Sequence, residues 1–486
     1  MSSTSTIKSY FIYEFFLNNA DFRLQKIRNY LDSIKTSAVL DESDILRMTN
    51  FSAFFVQRRL TFDHLVKSYI TRDLLLKNNA NITCKILSLS LALGFFQNNY
   101  EAVLPELKIT LRRFQNVPVL NSLLNSFMKF FNRFGYELPE IKAKDREREL
   151  SIKYSCPLEL TSFLVSEIGR SDAESVMASS LVPPKVTFRL NSYAIPGEEE
   201  REIFLKEFAE KYFLDLTHVY DYDPLIFAAN RGAFGFSLTD TEEFKLGFIT
   251  PMGPSAYLAA KILQPAPDEI ILDACASPGN KTCHIAESTD CAARVIGVDV
   301  SASKVEKIFA NVKRLKLNNV FAVEARSELI SADEIKAAVR GIGEKEGGLF
   351  DKILLDAPCS GLGLLRNRVE LKYRFSAHDT TKMTAAQSSL LANTSSLLKP
   401  GGLLLYSTCT INRRENSEMV DSFLASHPDF DSLNVSERLG KNYLSSLPVC
   451  DSAGGGGRYL QVIPCPEEVN EGFFFALLIK KERSRR

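Results

Sequence analysis

Short segments in the last half of the chain hold the residue types that could do chemistry. Leu272-Asp-Ala-Cys-Ala-Ser-Pro-Gly-Asn-Lys-Thr282 is a run of small residues between an apolar strand and a helix that starts near Lys281. Small residues let a ligand approach the backbone closely, and ligands of open α/β sheets bind at the carboxyl ends of the strands. The run lacks Gly-x-Gly-x-x-Gly, which weakens a dinucleotide reading, and lacks the Walker pattern. Asp299 ends the next apolar run, Val295-Ile-Gly-Val-Asp299, where a carboxylate can accept both hydroxyls of a ribose. A mononucleotide-like ligand without a pyrophosphate fits both features, and S-adenosylmethionine is the obvious candidate. Asp356-Ala-Pro-Cys-Ser-Gly361 follows another apolar strand, and Leu398-Lys-Pro-Gly-Gly-Leu-Leu-Leu-Tyr-Ser-Thr-Cys-Thr410 places Cys409 just after a further one. Either Cys359 or Cys409 alone would read as a small buried residue. Together, beside a candidate cofactor site, they read as two thiols converging on one cleft.

The elements that must position these groups are legible as pattern. From about residue 245, short apolar runs (270–273, 295–299, 320–323, 352–356, 403–407) alternate with helical stretches, the signature of a doubly wound α/β domain with buried parallel strands. A final strand is expected over 472–479, after the glycine run Gly454–Gly457. Residues 150–235 read as a small α+β module, with a helix from Pro157 to Met177, a strand over 185–190 and a helix from Glu198 to Tyr212. From residue 8 to 135 apolar residues recur at helical spacing, as in Ile45, Met48, Phe51 and Phe55, and Asp41-Glu-Ser-Asp44 supplies an acidic helix start. The expected division is 1–140, 150–240 and 241–486.

Composition bounds the class. With 486 residues, 45% apolar and 24% charged, the chain is neither disordered nor collagen-like. No apolar run reaches the ~18 residues of a membrane span, and the N-terminus lacks a basic segment followed by an apolar one. A cytoplasmic protein without a membrane partner is expected. Nine scattered cysteines, without a Cys-x-x-Cys pair, are not a disulfide framework, and with five dispersed histidines no metal site is expected. The net charge of zero hides 21 basic against 15 acidic residues in positions 1–150, a balance compatible with a nucleic-acid partner.

Taken together, Asp-Ala-Cys-Ala-Ser-Pro-Gly-Asn-Lys-Thr, Leu-Leu-Asp-Ala-Pro-Cys-Ser-Gly, Leu-Lys-Pro-Gly-Gly and Ser-Thr-Cys-Thr with Glu415-Asn416 resemble the RNA cytosine carbon-5 methyltransferases of the Nop/Sun family. Residues 41–47, the helix ending near Arg59, residues 87–97 and 120–125, with Tyr154-Ser-Cys-Pro157 and Arg189-Leu-Asn191, resemble the Fmu/Sun-type 16S rRNA methyltransferases. The resemblance implies a Rossmann-like S-adenosylmethionine-dependent methyltransferase domain preceded by an all-helical NusB-like RNA-binding domain and the small α+β module. The implied partner is RNA, foremost small-subunit rRNA.

The resemblance also assigns roles. Carbon 5 of cytosine is a poor nucleophile until a thiolate adds to carbon 6, after which it is enamine-like; a base must then remove the carbon-5 proton. The family's Thr-Cys cysteine is the nucleophile, which makes Cys409 that residue and Cys359 the group that assists elimination. DNA cytosine methyltransferases use the Pro-Cys thiol instead. Asp356 would hold the cytosine and stand beside the cofactor. Cys275, Ala276, Ser277, Pro278, Gly279, Asn280 and Lys281 would line the methionine part of the cofactor, with Asp299 on the ribose and Glu324 near the adenine. The target base must be unpaired or turned out, and Arg366 and Lys372 could meet phosphates.

Asn280 stands where a second glycine is usual and Glu324 where aspartate is usual. Residues 248–255 replace the usual Val-Gln-Asp segment, Asn367-Arg-Val-Glu370 and Arg413 also differ, and Tyr373 occupies a tryptophan site in a chain without tryptophan. A rival reading is a non-catalytic ribosome-assembly or RNA-binding factor that has kept the fold. Another is a methyltransferase of proteins or small molecules, which would leave the paired cysteines unexplained.

Overall fold

Asp41, in the acidic stretch expected to start a helix, accepts from the Asp44 N–H at 2.7 Å and closes a reciprocal capping box on the helix Glu42–Leu65. The computed structural model containing this helix describes residues 9–19, 23–35, 40–71, 79–229, 237–339, 349–449 and 457–482; Cys450 and Gly454–Gly456 lie outside them. Contacts divide the chain into two units. The first comprises described residues within Met1–Phe163, Ser180–Val182 and Asn367–Arg374, the second those within Leu164–Ser179, Pro183–Arg366 and Phe375–Arg486.

The first unit is helical. Glu42–Leu65, Ala80–Gln97 and Val117–Phe134 contribute Phe51, Phe55, Phe62, Leu87, Leu91, Phe127 and Phe131 to a core that also takes in Val369. Ala80–Gln97 is long and apolar enough to cross a membrane. Here its residues 86–94 are buried in protein, and its serines are satisfied there: Ser88 Oγ donates to Asp63 at 2.6 Å and Ser90 Oγ pairs with Tyr13 Oη at 2.6 Å. It is the central helix of this core.

The second unit holds both sheets. Strands β1 (Val186–Leu190), β2 (Leu216–His218), β3 (Ile226–Ala229) and β4 (Ile249–Pro251) form an antiparallel sheet in the order β2-β3-β1-β4, packed around Phe188, Phe208 and Phe227. The larger sheet uses β5 (Ile270–Asp273), β6 (Arg294–Asp299), β7 (Val320–Glu324), β8 (Phe350–Asp356), β9 (Leu398–Thr408), β10 (Phe430–Leu433), β11 (Tyr459–Val462) and β12 (Phe473–Lys480). Its order is β10-β12-β9-β8-β5-β6-β7, with β11 paired to β12. β5 to β9 are mutually parallel; β12 runs antiparallel to β9. This is the expected Rossmann-like methyltransferase architecture.

The register lines up the chemistry. Asp299 faces Glu324, Asp273 pairs with Leu354, and Asp356 pairs with Ser407, so the carboxyl ends of β5, β6, β8 and β9 share one edge. The strand order turns back between β5 and β8, the crevice where such sheets bind ligands. A buried ion pair anchors the first helix of this edge. Arg189 of β1 donates to Glu287, at the end of the helix Asn280–Glu287, with both side chains 1% exposed.

Candidate active site

The turn after β5 is shaped by Gly279, whose φ of +99° is left-handed and whose Cβ, if present, would lie 3.3 Å from Ile308. The left-handed backbone strains any other residue, and an added Cβ would require Ile308 to give way. Asp299 holds the turn in place: Oδ2 accepts from the Ser277 N–H at 2.9 Å, while Oδ1 accepts from the Val300 N–H at 2.8 Å and meets Lys304 Nζ at 2.9 Å. Glu324 is exposed at the end of β7, opposite Asp299 in register. Cys275 is pushed well above the usual thiol range by burial and then by the carboxylates of Asp273, Asp356 and Asp299.

Asp273 is a residue the sequence did not single out. Its Oδ2 accepts from Thr282 Oγ1 at 2.7 Å, but its buried Oδ1 has no hydrogen-bond partner. Burial raises its pKa to about 6 against the opposing effects of Thr282 and Lys281. An orphaned carboxylate oxygen beside a turn of small residues fits a ligand carrying positive charge, as the ammonium and sulfonium groups of S-adenosylmethionine do.

The far side of the crevice is tied together through Asp356. Lys281 Nζ lies 2.6 Å from its Oδ2, and Ser407 Oγ donates to Oδ1 at 3.0 Å. Burial alone would lower the Lys281 pKa; Asp356 holds it above the ordinary value. The ammonium also sits 5.1 Å from the centre of the Phe473 ring. The sulfurs of Cys359 and Cys409 are 3.3 Å apart, both as free thiols. The contact with Cys409, followed by burial, pushes Cys359 well above the usual thiol range. Ser360 Oγ and Thr410 Oγ1, the next hydroxyls along each loop, are 2.7 Å apart. The Gly363 N–H donates to the Cys409 carbonyl at 3.0 Å, and the Gly472 N–H to the Gly363 carbonyl at 2.9 Å. The structure thus brings Lys281, Asp356, Cys359 and Cys409 to one edge of the sheet.

The profile of the family described as 16S rRNA methyltransferase RsmB/F matches residues 260–479. The probable ribosomal RNA small subunit methyltransferase B of Bacillus subtilis (strain 168) is 30% identical over 414 residues, covering 84% of this chain and 86% of that protein. The chain belongs to the RsmB/F family of 16S rRNA methyltransferases. The ribosomal RNA small subunit methyltransferase B of Klebsiella pneumoniae (strain 342) is 34% identical over 75% of this chain and 74% of that one. Two solved structures share the fold. The crystal structure of PH0851 gives a TM-score of 0.69 at 22% identity, covering 94% of this chain and 98% of that one. NSun6 from Pyrococcus horikoshii with SFG gives 0.55 at 21%, covering 67% and 99%. The RsmB/F reaction is methylation of small-subunit rRNA, with S-adenosylmethionine as the methyl donor.

Two departures from the usual family pattern meet in space. The Asn280 side chain donates to the Pro251 carbonyl at 3.1 Å, and Pro251 belongs to the altered 248–255 segment. One expectation is corrected. Arg366 and Lys372 do not reach out toward phosphates, because both are buried, at 7% and 1% exposure. Arg366 donates to the carbonyls of Ser179 (3.2 Å), Glu468 and Cys465. Lys372 donates to those of Gln57 at 3.0 Å and Tyr154 at 3.3 Å. Tyr373, at the tryptophan site, donates to the Val56 carbonyl at 2.8 Å and pairs with Ser155 Oγ at 3.0 Å. Among the described residues no cluster of three or more His, Cys, Asp or Glu side chains is gathered as a metal site would need.

Proposed function

We propose that this RsmB/F-family protein methylates carbon 5 of a cytosine in small-subunit rRNA through a covalent adduct on Cys409. The observation that carries this reading is the pair of free thiols 3.3 Å apart at the ends of β8 and β9. When bound, S-adenosylmethionine supplies an electrophilic methyl group. Cys275 to Lys281 and Asp299 would hold it, with Glu324 near the adenine and the orphaned oxygen of Asp273 facing its positive charge.

The roles of the chain's own residues follow from their contacts. Cys359, which keeps its proton in the resting site, lies 3.3 Å from the Cys409 sulfur, close enough to hydrogen-bond to that sulfur as it acts as the nucleophile. Cys409 adds to carbon 6 of the cytosine and makes carbon 5 electron-rich. Once carbon 5 carries the methyl group, Cys359 gives up its own proton to solvent and, as the thiolate, takes the carbon-5 proton; the freed C–H electron pair restores the ring double bond and expels Cys409 as its thiolate. Asp356, fixed by Lys281 and Ser407, holds the base by its ring nitrogen or exocyclic amine.

The test is transfer of a labelled methyl group from S-adenosylmethionine to small-subunit rRNA. Cys409→Ala is expected to abolish label on cytosine, and Cys359→Ala to accumulate an RNA–protein adduct. Full methylation by Cys409→Ala would refute the covalent route. Cofactor binding with no label on any RNA would favour a non-catalytic role in ribosome assembly.

A further inference from the structure

Glu415 and Asn416 are adjacent in the chain, and each grips the residues on either side of a different thiol. The Glu415 carboxylate is fully buried, and among the described residues no basic side chain pairs with it. Its Oε2 accepts from the Ser360 N–H at 2.9 Å and from Gln387 Nε2 at 3.0 Å, and its Oε1 from Asn412 Nδ2 at 2.9 Å. The same Gln387 nitrogen donates to the Pro358 carbonyl at 2.8 Å. Both neighbours of Cys359 are therefore tied to the Glu415–Gln387 pair.

Asn416 does the same for Cys409. Its Oδ1 accepts from Thr408 Oγ1 at 2.6 Å, and its Nδ2 donates to the Thr410 carbonyl at 3.0 Å and to Gln461 Oε1 at 2.8 Å. Asn416 occupies the N-cap position of the helix Ser417–Ser426 yet makes no capping hydrogen bond. Asparagine is among the strongest N-cap residues because its side chain can satisfy the free amides of the first turn. Here that side chain is given to the neighbours of Cys409 instead. The Tyr406 hydroxyl, donating to the Glu415 carbonyl at 2.7 Å, pins the dipeptide to β9.

We infer that Glu415 and Asn416 are positioning residues that act as one clamp, Glu415 orienting Cys359 and Asn416 orienting Cys409, and so set the approach of the two sulfurs. Neither touches a reacting atom. Reacting groups gain their advantage from being held in place, and a displacement of about 1 Å can cost on the order of a hundredfold in rate. The use of this clamp in catalysis rests on the covalent route proposed above; its effect on the sulfurs does not.

The full-length protein and its Glu415→Ala, Glu415→Gln and Asn416→Ala variants would be treated with dibromobimane, which joins two nearby thiols. Mass spectrometry would then compare the 359–409 cross-link with alkylation at either cysteine singly. Cross-linking relative to single alkylation is expected to fall roughly tenfold in the alanine variants. Glu415→Gln, which keeps an oxygen for the Ser360 amide, should retain more of it than Glu415→Ala. In methyl transfer, kcat should fall with KM for rRNA nearly unchanged. Wild-type cross-linking in folded Asn416→Ala would overturn the inference, even if Glu415→Ala fails to fold. If Cys409→Ala still methylates RNA while the cross-linking losses appear, the covalent route falls and the clamp stands.

Discussion

Lys281 Nζ lies 2.6 Å from Asp356 Oδ2, a contact that joins the helix after β5 to the end of β8 where the strand order turns back. The ammonium and the carboxylate hold each other in place, and in the function proposed above Asp356 receives the base in this geometry. Asp356→Asn keeps the size of the side chain but removes the countercharge and half of the acceptor capacity. Single-turnover methyl transfer to rRNA is expected to fall by roughly 100- to 1000-fold, the usual scale for losing one preorganised polar group. Because the two residues act as a pair, Lys281→Met added to Asp356→Asn should cost little more. Losses that multiply independently would show that they do not.

Asp273 gives the site a pH signature. Its pKa in the folded protein is raised to about 6, against about 4 in an unfolded chain. The folded state therefore holds this proton more tightly. The corresponding stability is full below pH ~4 and is lost as pH rises through 6, to the extent of about 3 kcal/mol. Denaturant unfolding of Asp273→Asn should lack that decline, whatever its absolute stability. Positive ligand charge favours the ionised carboxylate, so S-adenosylmethionine binding by the wild type should tighten between pH 5 and 7. Calorimetry showing a flat affinity over that range would contradict the assignment.

Lys372 has the opposite sign. Burial lowers its pKa to about 7, so above pH 7 the unfolded chain holds a proton that the folded protein has released. Stability from this group rises with pH, by about 2 kcal/mol between pH 7 and 8.5, before unfolded thiols titrate. Unfolding curves of wild type and Lys372→Met should diverge in slope over that interval. Parallel curves would mean that the buried amine is protonated throughout.

Gly363 lies against Gly472 so closely that a Cβ would stand 2.0 Å from the Gly472 carbonyl oxygen. Gly363→Ala should therefore destabilise the protein by about 3 kcal/mol or more, and any folded fraction should transfer methyl groups slowly, because Gly363 holds the Cys409 carbonyl. A melting temperature equal to that of the wild type would refute the crowding.

The parallel strands were legible because, buried on both faces, they appear as unbroken apolar runs: 352–356 lies within β8 and 403–407 within β9. Glu198–Tyr212 forms the expected helix. The short antiparallel pieces β2, β3, β10 and β11, of three or four residues, are too brief for alternation to register. Asp356, Cys359 and Cys409 stood out because strand ends point into the crevice. Glu415-Asn416 stood out only as part of the resemblance; its clamping role was not legible, because its partners arrive from residues 358–360, 387 and 461. Arg366 and Lys372 misled for a chemical reason. Long cationic side chains usually reach water, and nothing local announces that backbone carbonyls will surround them.

The helical unit includes Asn367–Arg374, a stretch encoded between β8 and β9. Val369 lies in its core, and Lys372 and Tyr373 donate to the carbonyls of Gln57 and Val56. On the ribosome this unit emerges first yet cannot be finished until roughly 200 further residues have been added, ~10–40 s later at ordinary elongation speeds. Until then its core lacks Val369, and the carbonyls of Gln57 and Val56 lack the side chains that donate to them. Completion of the first domain is thereby tied to synthesis of the loop that follows Cys359, so a truncated product leaves the helical unit unfinished as well as the active site.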